Sequence, residues 1–348
     1  MTIKVLVVDD SALIRHILSE IIKSEPDMQI VGAAPDAFVA KKLVLETSPD
    51  VITLDIEMPK VDGLRFLEVM MNAKPTPVVM ISTLTEKGAD ATLRSLELGA
   101  IDFVAKPKIG VAEGMAAYHQ LIAEKIRTAA QSKVKRTKPA IRPSVNAVNY
   151  TGTEKIIAIG ASTGGTEAIK EVLSTFPANA PATVITQHMP TGFTSTYAKR
   201  LDALCQMQVK EAKGGERLLP GQAYLAPGDK HLEIERSGAD YRIRLSDGAR
   251  VSGHKPSVDV MFNSICKSAG SNALGVLLTG MGKDGANGLL EMFKAGSETF
   301  CQNEASCIVY GMPKVAIEKG AAKQVVSLEG MGKAIMQAVE KMSAGSRL

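Results

Sequence analysis

The sequence has no tryptophan, and Phe, Trp and Tyr together make up only 4% of it. A core without large rings must be aliphatic, as in parallel sheets covered by helices on both faces. No apolar run approaches the roughly 20 residues that cross a bilayer as a helix, so the chain is not expected to be membrane-inserted. The opening stretch MTIKVLVVDD has no basic leader ahead of its apolar run and ends on two carboxylates. It does not read as a signal peptide, and a cytoplasmic location is expected. The four cysteines, Cys205, Cys266, Cys301 and Cys307, show no CxxC spacing. They fit reduced, buried thiols better than a disulfide framework or a zinc site. No repeat of fixed period is evident.

What is present is length, aliphatic residues and an uneven charge. At 348 residues and 45% hydrophobic content the chain exceeds one ordinary compact domain, and two are expected. The net charge of +4 hides unlike parts: residues 1–124 carry 12 Lys/Arg against 18 Asp/Glu, residues 125–152 carry 7 basic and no acidic residues, and residues 153–348 carry 22 against 19. This division predicts an acidic domain over 1–124, a basic linker over 125–152 and a near-neutral domain over 153–348. SKVKRTKPAIRPSVNAVNYTG, rich in Pro, Ser and basic residues without periodicity, reads as a solvated tether. A nucleic-acid-binding arm or output is the competing reading. No aromatic residue interleaves the linker charges before Tyr150 and no helix-turn-helix pattern follows it, so no nucleic-acid partner is expected.

In the first domain KVLVVDD, MQIVGAA, VITLD, PVVMIS and DFVAKP predict strands, separated by helical spacing over 13–24, 36–47, 63–72 and 88–98. A last helix near 114–130 closes the block. In the second domain KIIAIG, PATVITQ, ALGVLLTG and SETFCQ predict strands between helices, while GQAYLAPG, HLEIE and DYRIRL read as a short antiparallel insertion. The expected fold class is α/β: two doubly wound parallel-sheet domains, a (βα)5 unit followed by a Rossmann-like unit carrying that insertion.

Open parallel sheets bind ligands beyond the carboxyl ends of their strands. In the first domain those ends carry Asp9-Asp10, Asp55, Ser82 and Lys106. Three carboxylates at one rim repel each other unless a cation joins them, and Mg²⁺, a hard ion with oxygen ligands, suits the site. Asp55 would then attack a phosphoryl group, Lys106 would pair with its oxygens and Ser82 would hydrogen-bond to one of them. Taken alone, each is as well explained as a solvated strand-end residue. Together they resemble the response-regulator receiver domain, with paired acids Asp9 and Asp10, acceptor Asp55, hydroxyl Ser82 and Lys106-Pro107. That resemblance implies a third metal ligand at the backbone carbonyl of Glu57. It also places Phe103 where many members have a switching tyrosine, so an aromatic ring remains but its hydroxyl is gone.

The glycine turn in KIIAIGASTGGTEAI, residues 155–169, has two readings. As a phosphate cradle it lacks the P-loop lysine, Thr166-Glu167 standing in its place, and Ser162 replaces the second glycine of GxGxxG. As a nucleophile turn it sets Ser162 at a strand end and helix start, where free amides can stabilise an oxyanion. His188, in VITQHMP, directly follows a candidate parallel strand, and Asp284, in VLLTGMGKDG, follows another. His188 would take the Ser162 proton and Asp284 would hold the imidazole. Ser162 as a helix N-cap, and His254 as the base with Asp259 as its partner, stay open as alternatives.

GASTGG, QHMP, GMGKDGA and NEASCIVYGMP, behind the receiver pattern and a basic linker, resemble the chemotaxis protein-glutamate methylesterase family over essentially the whole chain. The resemblance implies hydrolysis of γ-glutamyl methyl esters on chemoreceptors, with deamidation of receptor glutamines, and a triad on Ser162, His188 and Asp284 that needs no cofactor. It implies oxyanion donors among the backbone amides near Thr163 and Met281, and a chemotaxis histidine kinase as phosphodonor. It also implies a receiver that covers the esterase rim until it is phosphorylated. A receiver with a nucleic-acid-binding output and a non-catalytic adaptor are the rival functions.

Overall fold

The computed structural model describes residues 2–83, 85–106, 115–132 and 155–344. It divides into two units, residues 1–139 and 140–348.

The first unit runs β1 (Ile3–Val8), α1 (Ala12–Ser24), β2 (Met28–Ala34), α2 (Ala37–Thr47), β3 (Val51–Asp55), α3 (Gly63–Ala73), β4 (Val78–Ser82), α4 (Glu86–Glu97), β5 (Asp102–Ala105) and α5 (Met115–Gln131). Its five strands are all parallel, in the order β2-β1-β3-β4-β5. β3 and β4 are buried along their whole length, which is why they read as unbroken apolar runs. Ser11, Asp36, Asp62 and Thr85 cap α1 to α4 with their side chains, so each turn into a helix is written locally.

The linker does not begin at residue 125. α5 continues to Gln131, with Ile126 and Ala129 fully buried. Two of the basic residues counted into the linker belong to ion pairs of this unit: Lys125 with Asp102, and Arg127 with Glu25 and Asp27. Charge counting along the chain misassigned them because their acidic partners lie far away in sequence. The rest of the tether, 133–152, and Pro107 lie outside the described residues.

The second unit runs β6 (Ile156–Ala161), α6 (Gly165–Leu173), β7 (Ala182–Gln187), α7 (Thr194–Leu204), β8 (Gln208–Glu211), β9 (Gln222–Leu225), β10 (His231–Ser237), β11 (Asp240–Ser246), α8 (Val258–Ala269), β12 (Ala273–Leu277), α9 (Ala286–Lys294), β13 (Glu298–Gln302), α10 (Met312–Glu318), β14 (Gln324–Val326) and α11 (Leu328–Ala344). Seven strands form one parallel sheet, ordered β14-β13-β12-β6-β7-β9-β8. The chain leaves β6 toward β7 and later returns on its other side as β12, so β6 is the switch point where α/β sheets open a crevice. Register puts Gly160 beside Leu277 and Ala161 beside Gln187, so the three strand ends finish at nearly one level.

GQAYLAPG is not part of the antiparallel insertion. Its strand β9 pairs parallel with β7 and β8, and Tyr224 is completely buried there. Only HLEIE and DYRIRL form the hairpin, β10 on β11, whose inward Leu232, Ile234 and Ile243 join Phe262 and Ile265 of α8 in one apolar cluster. β8 and β14 escaped the sequence reading because they are short edge strands, partly exposed and weakly apolar.

Candidate functional site

Two rims carry chemistry, one in each unit.

In the first, Asp9, Asp10 and Asp55 bring one carboxylate oxygen each to within 4.8 Å of one another. Arg15 donates to the carbonyls of Asp9 (2.8 Å) and Asp10 (2.9 Å), which fixes the turn that presents both acids. Lys106 Nζ lies 2.8 Å from Asp55 Oδ2 and 3.1 Å from Asp9 Oδ2. Neither of these buried oxygens accepts an aligned hydrogen bond, so the ammonium is a charge partner that leaves their lone pairs free. Lys106 pairs with two of these three carboxylates, which leaves the rim short of positive charge. An all-oxygen donor set with unsatisfied buried lone pairs fits a hard divalent ion such as Mg²⁺. The Glu57 amide, 3.3 Å from Asp55 Oδ1, donates to the acceptor, while the Glu57 side chain is exposed. Ser82 does not face the rim through a free hydroxyl: its Oγ is 2.6 Å from Thr92 Oγ1 and 3.4 Å from the Gly88 carbonyl. Phe103 is buried.

Burial pushes the Asp55 carboxyl up from 3.8 to about 6, helped by Asp9 and opposed by Lys106. Between these two values the folded unit holds a proton that the unfolded chain releases. The associated stability is therefore complete below pH 3.8 and is lost as pH rises through about 6. A divalent ion bound by these carboxylates would replace that proton. Added Mg²⁺ is expected to raise the melting temperature of the first unit several degrees at pH 7.5 and hardly at all at pH 5. A thermal scan with Mg²⁺ and with chelator at both pH values checks this, and equal shifts at the two would refute it.

In the second unit Ser162 follows β6, His188 follows β7 and Asp284 lies beyond β12, on three neighbouring strands. The Ser162 amide donates to the Thr279 carbonyl (3.0 Å) and the His188 amide to Ala161 (3.1 Å), so the strand ladders extend into the rim. Gln187 Nε2 donates to the carbonyls of both Ser162 (2.9 Å) and His188 (3.2 Å). Ser162 is not the cap of α6. The cap is Gly164, at φ +76°, a conformation that glycine adopts without strain. A methyl group at Gly165 would meet Gln187 Oε1 at 2.1 Å. The two glycines therefore shape the turn, one through its backbone and one through its lack of bulk.

His188 Nε2 lies 2.8 Å from Asp284 Oδ2. Asp284 is acceptor only: Val258 N–H (2.7 Å), Asp259 N–H (3.1 Å) and Ser257 Oγ–H (2.8 Å) all donate to it. The amides belong to the start of α8, whose dipole favours a negative charge there. Burial raises the Asp284 pKa, but the bond and charge of His188, with these donors, outweigh it and hold the carboxyl below its ordinary value. Nε2–H must then donate to Asp284. The lone pair is left on Nδ1, which is buried and has no hydrogen-bond partner among the described residues.

His254 reaches the same place. Its ring stacks on His188, with centroids 3.7 Å apart and planes at 12°. Asp259 does not serve it as a triad acid. Its Oδ1 accepts from Gly288 N–H at 2.7 Å, tying α8 to α9. The sequence reading missed Ser257, Gln187 and the face-on role of His254. A serine before the apolar run VDVMF signals a helix start, but not that Asp284 would dock on it.

The first unit has the sheet order and acidic rim of a receiver domain, and the second has a parallel sheet whose switch point carries a Ser-His-Asp constellation. Together they define a two-domain response regulator with an enzymatic output. The CheB methylesterase family matches residues 157–335 and the response regulator receiver domain family matches residues 5–117, and the chain belongs to the CheB methylesterase family. It is 56% identical, over 100% of both chains, to the protein-glutamate methylesterase/protein-glutamine glutaminase 2 of Pseudomonas aeruginosa. It is likewise 56% identical, over 99% of both chains, to the protein-glutamate methylesterase/protein-glutamine glutaminase of Salmonella typhimurium. The crystal structure of the Thermotoga maritima CheB methylesterase catalytic domain aligns with 54% of this chain and 100% of its own, at 34% identity and a TM-score of 0.53. Among the described residues no helix is long and apolar enough to cross a membrane.

Proposed function

We propose that the chain is a phosphorylation-regulated serine hydrolase. It demethylates γ-glutamyl methyl esters on chemoreceptors and deamidates receptor glutamines, acting in the cytoplasm during chemotactic adaptation. The observation that carries this reading is the 2.8 Å bond from His188 to Asp284, which leaves Nδ1 free at the rim where Ser162 stands. The names of the relatives that match it end to end support the substrate.

In this reading Ser162 Oγ attacks the side-chain carbonyl carbon and His188 Nδ1 takes its proton. Asp284 holds the ring and stabilises its positive form. Backbone amides near Thr163 and Met281 receive the developing oxyanion. The tetrahedral state collapses as His188 protonates the leaving oxygen, and methanol departs. Water, deprotonated by His188, then frees the glutamate. An amide follows the same route with ammonia as the leaving group. The hydrolase rim requires no cofactor for these steps.

Regulation starts at Asp55, which accepts the phosphoryl group from a chemotaxis histidine kinase. Asp9, Asp10, Asp55 and the Glu57 carbonyl would hold Mg²⁺, which offsets the charge of the incoming phosphoryl group. Lys106 would pair with the phosphoryl oxygens. Ser82 would leave Thr92 to hydrogen-bond to one of them, biasing the receiver toward its phosphorylated state.

Methanol release from methylated receptor tests both halves. Wild type should be stimulated by a phosphodonor, Asp55→Asn should keep the basal rate without stimulation, and Ser162→Ala should release essentially none. Full stimulation of Asp55→Asn would overturn the assigned acceptor.

A further inference from the structure

Among the described residues the His188 ring is held by one hydrogen bond, from Nε2 to Asp284. The Cβ–Cγ axis about which an imidazole turns passes between Cε1 and Nε2, so Nε2 lies nearer to it than Nδ1 does. A hydrogen bond at Nε2 therefore restrains rotation less than one at Nδ1 would, and the same rotation carries Nδ1 along the wider arc. Among the described residues nothing hydrogen-bonds to Nδ1 to stop it. What does lie against the ring is a second plane, His254, at 3.7 Å and 12°.

We propose that His254 is a positioning residue for the hydrolysis, its ring serving as a flat backstop that fixes the plane of His188 and so the direction of Nδ1. The inference rests on His188 being the base. It deepens that reading by assigning a role to a histidine outside the triad.

The chain presents His254 rigidly. Val251 and His254 close a tight turn through paired backbone bonds of 3.0 and 2.9 Å, with Ser252 at φ 52° and Gly253 at φ 83°. Arg250 Nη1 donates to the Gly253 carbonyl at 3.3 Å. Beneath the segment His231, itself buried, accepts from the Ser257 amide at Nδ1 (3.1 Å) and donates to the Ala249 carbonyl from Nε2 (2.9 Å). Three residues after His254, Ser257 donates to Asp284. One braced stretch, 249–258, thus sets both the face of the His188 ring and the position of the carboxylate at its edge. A displacement of the stretch moves both together, which keeps the pair aligned.

The test is methanol release by full-length protein with phosphodonor, comparing His254→Ala, His254→Phe and His254→Leu. Loss of the backstop should lower kcat by about 10- to 100-fold in the alanine and leucine variants, with KM changed less than about twofold, as for a misoriented catalytic group. Phenylalanine keeps a flat face and should recover to within about fivefold of wild type. A general loss of packing would not separate Phe from Leu, so the contrast holds even if the alanine variant folds poorly. Equal rates for Phe and Leu, or a wild-type kcat in His254→Ala, would overturn the proposal. Ser162→Ala in the same assay separates the two levels: activity there removes the triad reading itself, whatever the His254 variants do.

Discussion

Replacing Ser162 with alanine is expected to reduce kcat for ester hydrolysis by about 10⁴- to 10⁶-fold, the range seen when a triad nucleophile is removed. The same change should leave the fold intact. Every hydrogen bond that holds Ser162 runs through its backbone: its amide to Thr279, and its carbonyl from Gly165 at 2.7 Å and from Gln187 at 2.9 Å. Among the described residues the hydroxyl takes part in none. Alanine keeps the Cβ and loses only the reactive oxygen, so the melting temperature should stay within about 2 °C of wild type. Steady-state methanol release beside a thermal scan settles the matter. A variant that is equally active, or one that is inactive because it no longer melts cooperatively, would contradict this account of the residue.

Asp284→Asn should lose both activity and stability. The carboxylate accepts four hydrogen bonds, two on each oxygen. The amide offers one oxygen and turns two N–H donors toward groups that also donate. The imidazole would lose its tautomer and the start of α8 would lose its counter-charge. We expect kcat to fall about 10⁴-fold. Stability should fall by about 2–4 kcal/mol, the cost of breaking a buried charged network from one side.

The pH dependence separates this from simple misfolding. Asp284 is ionised at a pKa below its ordinary 3.8, so its contribution is complete above that value and is lost as pH falls through the folded pKa. The stability gap between wild type and Asp284→Asn should therefore be flat from pH 8 to about pH 5 and should close only below about pH 4. Denaturant titrations across that range measure it. A gap that shrinks between pH 7 and pH 5 would show that the carboxylate is not held ionised as described.

The receiver was legible almost entirely from the chain. Its central strands are buried on both faces and so read as continuous apolar runs, and each ends on a polar residue whose place at the rim follows from parallel topology alone. The ends of β6 and β7 were legible for the same reason, which is how Ser162 and His188 could be selected. The weaker readings share another cause. β8 and β14 are edge strands with little apolar signal, Gln222–Leu225 looked antiparallel until its neighbours were known, and Lys125 and Arg127 looked like tether until Asp102, Glu25 and Asp27 lay beside them.

By itself, then, the sequence determined the residue types, the strand ends and the two-domain order, because these depend on periodicity and on neighbours close in the chain. Tertiary structure alone decided that His188 meets Asp284 through Nε2, that Ser257 and the amides of α8 hold the carboxylate, and that the His254 ring stacks on that of His188. Those choices follow from placing β12 and β7 on either side of β6 and laying α8 beneath Asp284. Packing sets such distances between segments 27 to 96 residues apart, and no local pattern in the chain encodes them.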